Sequence, residues 1–145
     1  MNEHLLEQIK ATMNLKYPLM SNLSNTSAIL NQLENINWCG FYLVDGETLY
    51  VGPFQGEPAC VLIPKGKGVC GTCFKEKKTI IVDDVSKFEG HIACSALSKS
   101  EIVVPIIKED KVVALIDIDA PILNRFGQEE KELLEEIAGF LREFF

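Results

Sequence analysis

The chain has no basic run or stripe. Its 145 residues carry 14 Lys and Arg against 21 Asp and Glu, a net charge of −7, which argues against nucleic acid as a main partner. The densest basic stretch, Lys65, Lys67, Lys75, Lys77 and Lys78, reads as solvated surface. No apolar run approaches the roughly 18 residues needed to cross a bilayer, so no membrane partner is expected. The amino terminus, Met-Asn-Glu-His-Leu-Leu, is already amphipathic and lacks the charged-then-apolar layout of a secretion signal, which predicts a cytoplasmic protein. Repeats, linkers and low-complexity segments are missing. Cysteines number five, an odd count that does not suit a full disulfide framework, and a core of this size needs no covalent staples.

What is present fits one domain spanning 1–145. Hydrophobic residues at 47% and charged residues at 24% are ordinary for a globular chain of this length. Leu5, Leu6, Ile9 and Met13 recur at helical spacing and stop before Tyr17-Pro18. A second helix is predicted over about 21–34, its Ser/Asn-rich start offering caps. Strands over 38–44 and 49–54 flank Asp45-Gly46, a hairpin signal. A short strand over 59–63 ends at Pro64, a helix is predicted over about 69–77, and a strand over 79–82. From 83 to 100 no period is visible, and a loop of that length in a small domain is usually functional. A second hairpin joins 102–107 to 112–120 across Glu109-Asp110. The last helix, over about 128–144, puts Leu133, Leu134, Ile137, Phe140, Leu141 and Phe144 on one stripe. This order predicts an α+β fold, a central antiparallel sheet with terminal helices (1–35 and 127–145) on one face. The other face is left for a ligand pocket under loops.

Cys60, Cys70, Cys73 and Cys94 cluster in one span, and in a cytosolic chain that means metal binding or redox chemistry more often than stability. Glu101, Asp117 and Asp119 follow, within or beside strand-like runs. If Val112, Ala114, Ile116 and Ile118 face the helices, then Val113, Leu115, Asp117 and Asp119 line the opposite face. Two readings of the aspartates stand open. They mark an exposed, frayed strand end, or a buried pair whose cost of roughly several kcal/mol is offset by a cationic ligand group or by one acid keeping its proton. Glu101, at the start of the partner strand, is placed to join them.

Carboxylates raise the pKa of a neighbouring thiol, which suits ordinary thiolate chemistry poorly. They suit a reaction in which sulfur attacks while an acid protonates a leaving oxygen, and this points to reduction of a sulfoxide or peroxide. Cys94, in Gly90-His91-Ile92-Ala93-Cys94-Ser95-Ala96, is either that nucleophile or a small buried apolar residue. A hydrolase-type pairing with His91 lacks a visible orienting acid and oxyanion site, so His91 reads as a loop hydrogen-bonding residue. Cys70-Gly71-Thr72-Cys73 is a C-x-x-C open to zinc or thioredoxin-like readings. Against these, Cys60, Cys94 and His91 match no familiar zinc spacing, and the helix is short for a thioredoxin-like pair. No resident metal is expected. Gly66, Gly68 and Gly71 resemble a phosphate loop only loosely. Cys39 is assigned to packing, which is also open to Cys73. Trp38 and Tyr42 share one strand face and form either an aromatic wall suited to a thioether or part of the core.

The segments Trp38-Cys39-Gly40-Phe41-Tyr42, Gly68-Val69-Cys70-Gly71-Thr72, Gly90-His91-Ile92-Ala93-Cys94, Ser100-Glu101-Ile102-Val103-Val104-Pro105 and Leu115-Ile116-Asp117-Ile118-Asp119 resemble the free methionine-(R)-sulfoxide reductases. These are stand-alone GAF domains, and the resemblance runs over nearly the whole chain. It implies a single GAF domain that reduces free L-methionine-(R)-sulfoxide to methionine through a cysteine sulfenic acid and a disulfide. It implies Cys94 as the catalytic cysteine, Cys60 or else Cys70 as the resolving thiol, and Trp38, Tyr42, Glu101, Asp117 and Asp119 as the substrate-binding residues. A protonated Glu101 or Asp119 would then hydrogen-bond the sulfoxide oxygen. The resemblance also implies no bound cofactor, electrons from thioredoxin (fed by NADPH through thioredoxin reductase) and a homodimer. Cys73 departs from the family pattern, standing where a small residue such as Ala is usual, and Cys39 stands where an apolar residue is common. The alternatives are a non-enzymatic GAF-type sensor of a small ligand or of redox state, and a thiol peroxidase.

Overall fold

The apolar periods of the sequence become four α-helices and a sheet built on two hairpins in a computed structural model that describes residues 2–91 and 96–145. Cys94, the predicted nucleophile, lies outside the described residues. α1 (Glu3–Thr12) and α2 (Leu19–Leu30) open the chain. The Ser/Asn-rich stretch does not cap α2 as expected: the helix begins directly after Pro18, whose φ of −57° and missing N–H suit a helix start. It also ends before the expected 34, and the chain turns at Asn35 with a φ of 56°.

β1 (Trp38–Asp45) and β2 (Thr48–Gln55) form the first hairpin. β3 (Leu62–Pro64) starts later than the 59–63 strand expected: Cys60 O accepts from Tyr42 Oη, and Val61 O accepts the Val51 N–H at 2.9 Å just before the strand. α3 (Gly68–Glu76) and β4 (Ile80–Val82) follow. The aperiodic stretch contains a 3-10 turn at Val85–Lys87, where the Asp84 side chain accepts from Ser86 N–H at 3.0 Å. β5 (Ser100–Lys108) and β6 (Lys111–Ala120) form the second hairpin. α4 (Gln128–Leu141) stops short of 144 and closes in a 3-10 turn at Arg142–Phe144.

The six strands form one sheet in the order β3-β2-β1-β6-β5-β4, every neighbouring pair antiparallel. On one face α1, α2 and α4 bury Leu5, Ile9, Leu23, Leu30, Leu134 and Ile137 against Phe41, Ile102, Ile116 and Ile118. On the other, α3 and the loops enclose a second cluster that includes Trp38, Tyr42, Val103 and Leu115. The α+β expectation therefore holds, with the refinement that a helix as well as loops covers the pocket face.

The predicted alternation of β6 holds from Ala114 onward and fails before it. Ile106 pairs with Ala114 and Ile107 with Val112, so Val113 is an extra, bulged residue. Val112 consequently packs with Leu115 on the pocket side, and Val113 packs against the helix-side core. The assignments of these two valines are reversed by the bulge, and those of Asp117 and Asp119 are not.

β1 and β2 cross closely at Gly40, where an added Cβ would fall 2.3 Å from Phe54 Cβ and 2.8 Å from Pro53 O. That obstruction includes backbone and cannot swing aside. Gly139, within α4, has no atom within 4 Å of an added Cβ. Gly40→Ala is therefore expected to lower the unfolding free energy by about 1–3 kcal/mol or more. Gly139→Ala should raise it by about 0.5–1 kcal/mol. Urea unfolding midpoints of the two variants should lie on opposite sides of the parent's.

Candidate active site

Strand register assembles the site. Trp38 on β1 pairs with Asp119 on the interior strand β6, and Asp119 pairs with Glu101 on β5, so the three form one cross-strand row. One pleat away, Asp117 lies between Gly40 and Val103. Trp38, Tyr42, Cys70, Glu101, Asp117 and Asp119 line a common cavity under α3. The frayed-end reading of the aspartates is thereby overturned, since Asp117 is 5% exposed and both belong to a paired interior strand.

The aromatic wall is held from behind. The Trp38 indole stacks on Phe54 at 5.1 Å between ring centroids and lies 6.1 Å from Tyr42. Its N–H donates to Glu57 O at 3.1 Å, and Tyr42 Oη donates to Cys60 O at 2.9 Å. These two bonds draw the 56–60 loop, and Cys60 with it, over the end of the sheet. Gly56 permits this approach: with a φ of 134°, an added Cβ would fall 2.6 Å from Trp38 Cδ1.

The acids share protons. Burial pushes the Glu101 carboxyl well above the usual range, and Asp117 and Asp119 push it further. Asp119 is likewise raised, by burial and then by Asp117, with partial relief from hydrogen bonds to Glu101 and Ser98. Asp117 is raised by burial but relieved by hydrogen bonds from Glu101 and Cys70 and by the nearness of His91. Burial thus favours the protonated form of all three, with Asp117 given the most relief by its neighbours. The Cys70 thiol donates to Asp117 Oδ2 at 3.3 Å and is pushed far up by burial and then by Asp117. It is held as a neutral thiol.

The remaining cysteines separate cleanly. Cys60 is disulfide-bonded, whereas Cys39, Cys70 and Cys73 are free thiols. Cys39 sits on the helix face, donating to Ser27 O at 3.3 Å, its pKa raised to about 12 by burial. Cys73 points into the core towards Val103 O at 3.8 Å, so the C-x-x-C does not aim both sulfurs at one ligand. Both fit the packing role.

Other cavity residues gave no signal in the sequence. Ser98 accepts from Asn37 Nδ2 at 3.2 Å and hydrogen-bonds Asp119, bracing the row from its open end. His91 lines the cavity rather than serving as a loop residue alone, and burial lowers its pKa against the pull of Asp117. The first turn of α3, Gly68 to Cys70, borders the same space, with Lys67 beside it. The first helical bond of α3 is Gly71 N–H to Lys67 O, so the preceding N–H groups have no carbonyl partner within the helix.

Buried acids with raised pKa values set a direction for stability against pH. Unfolded Glu releases its proton near pH ~4.3, whereas folded Glu101 retains it to a much higher pH. The native state therefore binds more protons above that point, and stability falls as pH rises through the window between the unfolded and folded values. Urea unfolding between pH 5 and 8 should show this decline, and Glu101→Gln should flatten it by up to about 1.4 kcal/mol per pH unit. An unchanged slope in the variant would place the proton elsewhere.

Comparisons with known proteins agree with this geometry. The family described as GAF domain matches residues 19–142. The free methionine-R-sulfoxide reductase of Escherichia coli is 45% identical over 84% of this chain and 74% of its own length. The fRMsr of Staphylococcus aureus, solved in complex with substrate, superposes with a TM-score of 0.91 at 51% identity, covering 97% of this chain and 93% of that one. The free methionine-R-sulfoxide reductase of Neisseria meningitidis, also solved with its substrate, gives 0.92 at 39% identity over 97% of this chain and 86% of that one. Fold, cavity and likeness converge: this chain belongs to the GAF-domain family, among the free methionine-R-sulfoxide reductases.

Proposed function

We propose that the protein reduces free L-methionine-(R)-sulfoxide to methionine, with Cys94 as the nucleophile. The observation that carries this reading is one cavity in which the carboxyl groups of Glu101, Asp117 and Asp119, all pushed towards their protonated forms by burial, lie beneath the Trp38 wall. A single cavity then offers an acid for a leaving oxygen, an anion for an ammonium, and an aromatic surface for a thioether.

The substrate sulfur and methyl group rest against Trp38. The ammonium meets Asp117, whose Oδ1 is buried with no partner. The carboxylate meets the free N–H groups of the first turn of α3, where the helix dipole and Lys67 favour an anion. A residue inside a peptide chain presents neither charge, which accounts for preference for the free amino acid. Cys94 attacks the sulfoxide sulfur as Glu101, or Asp119 beside it, protonates the oxygen. Methionine departs and Cys94 becomes a sulfenic acid. A second thiol condenses with it, releasing water and leaving a disulfide.

Cys60 is the resolving thiol. It is disulfide-bonded, while Cys70 is held protonated against Asp117 and is a poor nucleophile. Thioredoxin, recharged from NADPH by thioredoxin reductase, reduces the disulfide by exchange, and the enzyme needs no bound cofactor. The protein works as a cytoplasmic homodimer.

A thioredoxin-coupled assay on both epimers of free and peptide-bound methionine sulfoxide tests the reading; turnover is expected with the free R epimer alone. Cys94→Ser should abolish turnover. Cys60→Ser should permit one equivalent of methionine and then stall, whereas Cys70→Ser should continue to cycle. Retained cycling in Cys94→Ser assigns the nucleophile elsewhere, and a dominant Cys70–Cys73 link in peptide maps after one turnover overturns the resolving role of Cys60.

In the same assay Glu101→Gln should lower kcat by about 10²-fold or more, the usual loss on removing a positioned proton donor. Asp117→Asn should act mainly on KM. Equal kcat values for parent and Glu101→Gln would transfer the donor role to Asp119.

A further inference from the structure

The acid–thiol cluster is a set of metal donors as well as a store of protons. Cys70 Sγ, one Glu101 oxygen and one Asp117 oxygen all lie within 4.8 Å of one another and all are buried. Sγ stands 3.3 Å from Asp117 Oδ2 and 4.0 Å from Glu101 Oε2. Ligands of one tetrahedral zinc, bonded at about 2.0–2.3 Å, stand roughly 3.3–3.8 Å apart. The set is thus nearly closed already.

A second observation points the same way. Asp117 Oδ1 is buried with no hydrogen-bond partner among the described residues, on a residue 5% exposed, and is an open acceptor. Among the described residues, ion pairs with Lys or Arg all lie elsewhere, at Glu47, Glu76, Glu130 and Glu143. The cluster therefore brings carboxyl oxygens and soft sulfur together, with no Lys or Arg ion-paired to it among the described residues.

We propose that this cavity binds a thiophilic divalent cation of the zinc type through Cys70 Sγ and the carboxylates of Glu101 and Asp117. Water or His91 completes the coordination, and the bound ion excludes organic ligands from the same space. On binding, the thiol and any protonated carboxyl release their protons to solvent as the metal–sulfur and metal–oxygen bonds form; no electrons move. Sulfur among three donors selects against Mg²⁺ and Ca²⁺, which require a fuller shell of oxygen. Cys73 is not part of the site, because its thiol is turned to Val103 O in the core. The ion is a competitor for the pocket and not a resident cofactor.

Co²⁺ is the probe, added to the disulfide form of the whole protein so that Cys60 cannot ligate. One equivalent should produce a near-ultraviolet thiolate-to-cobalt charge-transfer band and the intense visible bands of a tetrahedral site, both bleached by Zn²⁺. Cys73→Ala should keep these bands and Cys70→Ala should lose the charge-transfer band. Asp117→Asn should weaken Co²⁺ binding by about tenfold or more. Absence of the band in the parent protein, or its persistence in Cys70→Ala, overturns the proposal. If circular dichroism shows that Cys70→Ala has not folded, the near-isosteric Asp117→Asn decides, and unchanged Co²⁺ affinity overturns it. The readout involves no turnover, so its failure leaves the reductase reading intact.

Discussion

Three carboxyl groups from one sheet face and a thiol from α3 are brought together with no Lys or Arg ion-paired to them among the described residues, and the rest of the pocket follows from that constraint. The register of β1, β6 and β5 sets Trp38, Asp119 and Glu101 in a row, with Asp117 one pleat along. Burying three isolated carboxylates here would cost far more than the stability of an ordinary domain. The cluster is tolerated because burial and mutual repulsion favour protonated forms, so its members are not three isolated charges. A site built this way is primed for a ligand that brings positive charge and consumes a proton.

The surrounding layer gives the cluster direction. Phe54 stacks on Trp38, and Trp38 and Tyr42 reach out to hold the carbonyls of Glu57 and Cys60. Aromatic wall and Cys60 are therefore parts of one device: the side chains that border the cavity also fix the strand-end loop carrying the disulfide-bonded Cys60. Gly40 and Gly56 are the points at which this closeness would be lost to any larger residue. The helix face has the opposite character. It is dry and apolar, and its one thiol, Cys39, is raised to about 12 by burial and serves packing. The buried acids lie on the other side, which also holds an apolar cluster of its own.

Much of this was legible in the residues. The Asp45-Gly46 turn, the apolar stripes of α1 and α4 and the alternation around Asp117 and Asp119 are local patterns, and local patterns fix element type. Boundaries were less legible where a long-range bond intervened. β3 starts later than expected, after Cys60 O accepts from Tyr42 Oη, and the Val113 bulge reversed two valines without a sequence mark. The part played by Ser98 had no signal, since a serine in an aperiodic loop looks like any other until its neighbours are known, and the glycines around the first turn of α3 gave only a loose one.

Residue chemistry alone determined that acids, thiols and aromatics of the right kinds were present, and the spacing of β1 and β6 put each on the correct strand face. Tertiary structure alone decided that the three acids meet in one cavity, which sulfur lies against Asp117, and that Cys73 turns to the core. Those outcomes depend on distances of 3–4 Å between residues dozens of positions apart, such as Cys70 and Asp117 at 3.3 Å, and on the loss of water around them. Electrostatic energy in a buried site changes steeply over such distances, and no pattern along a one-dimensional chain encodes them.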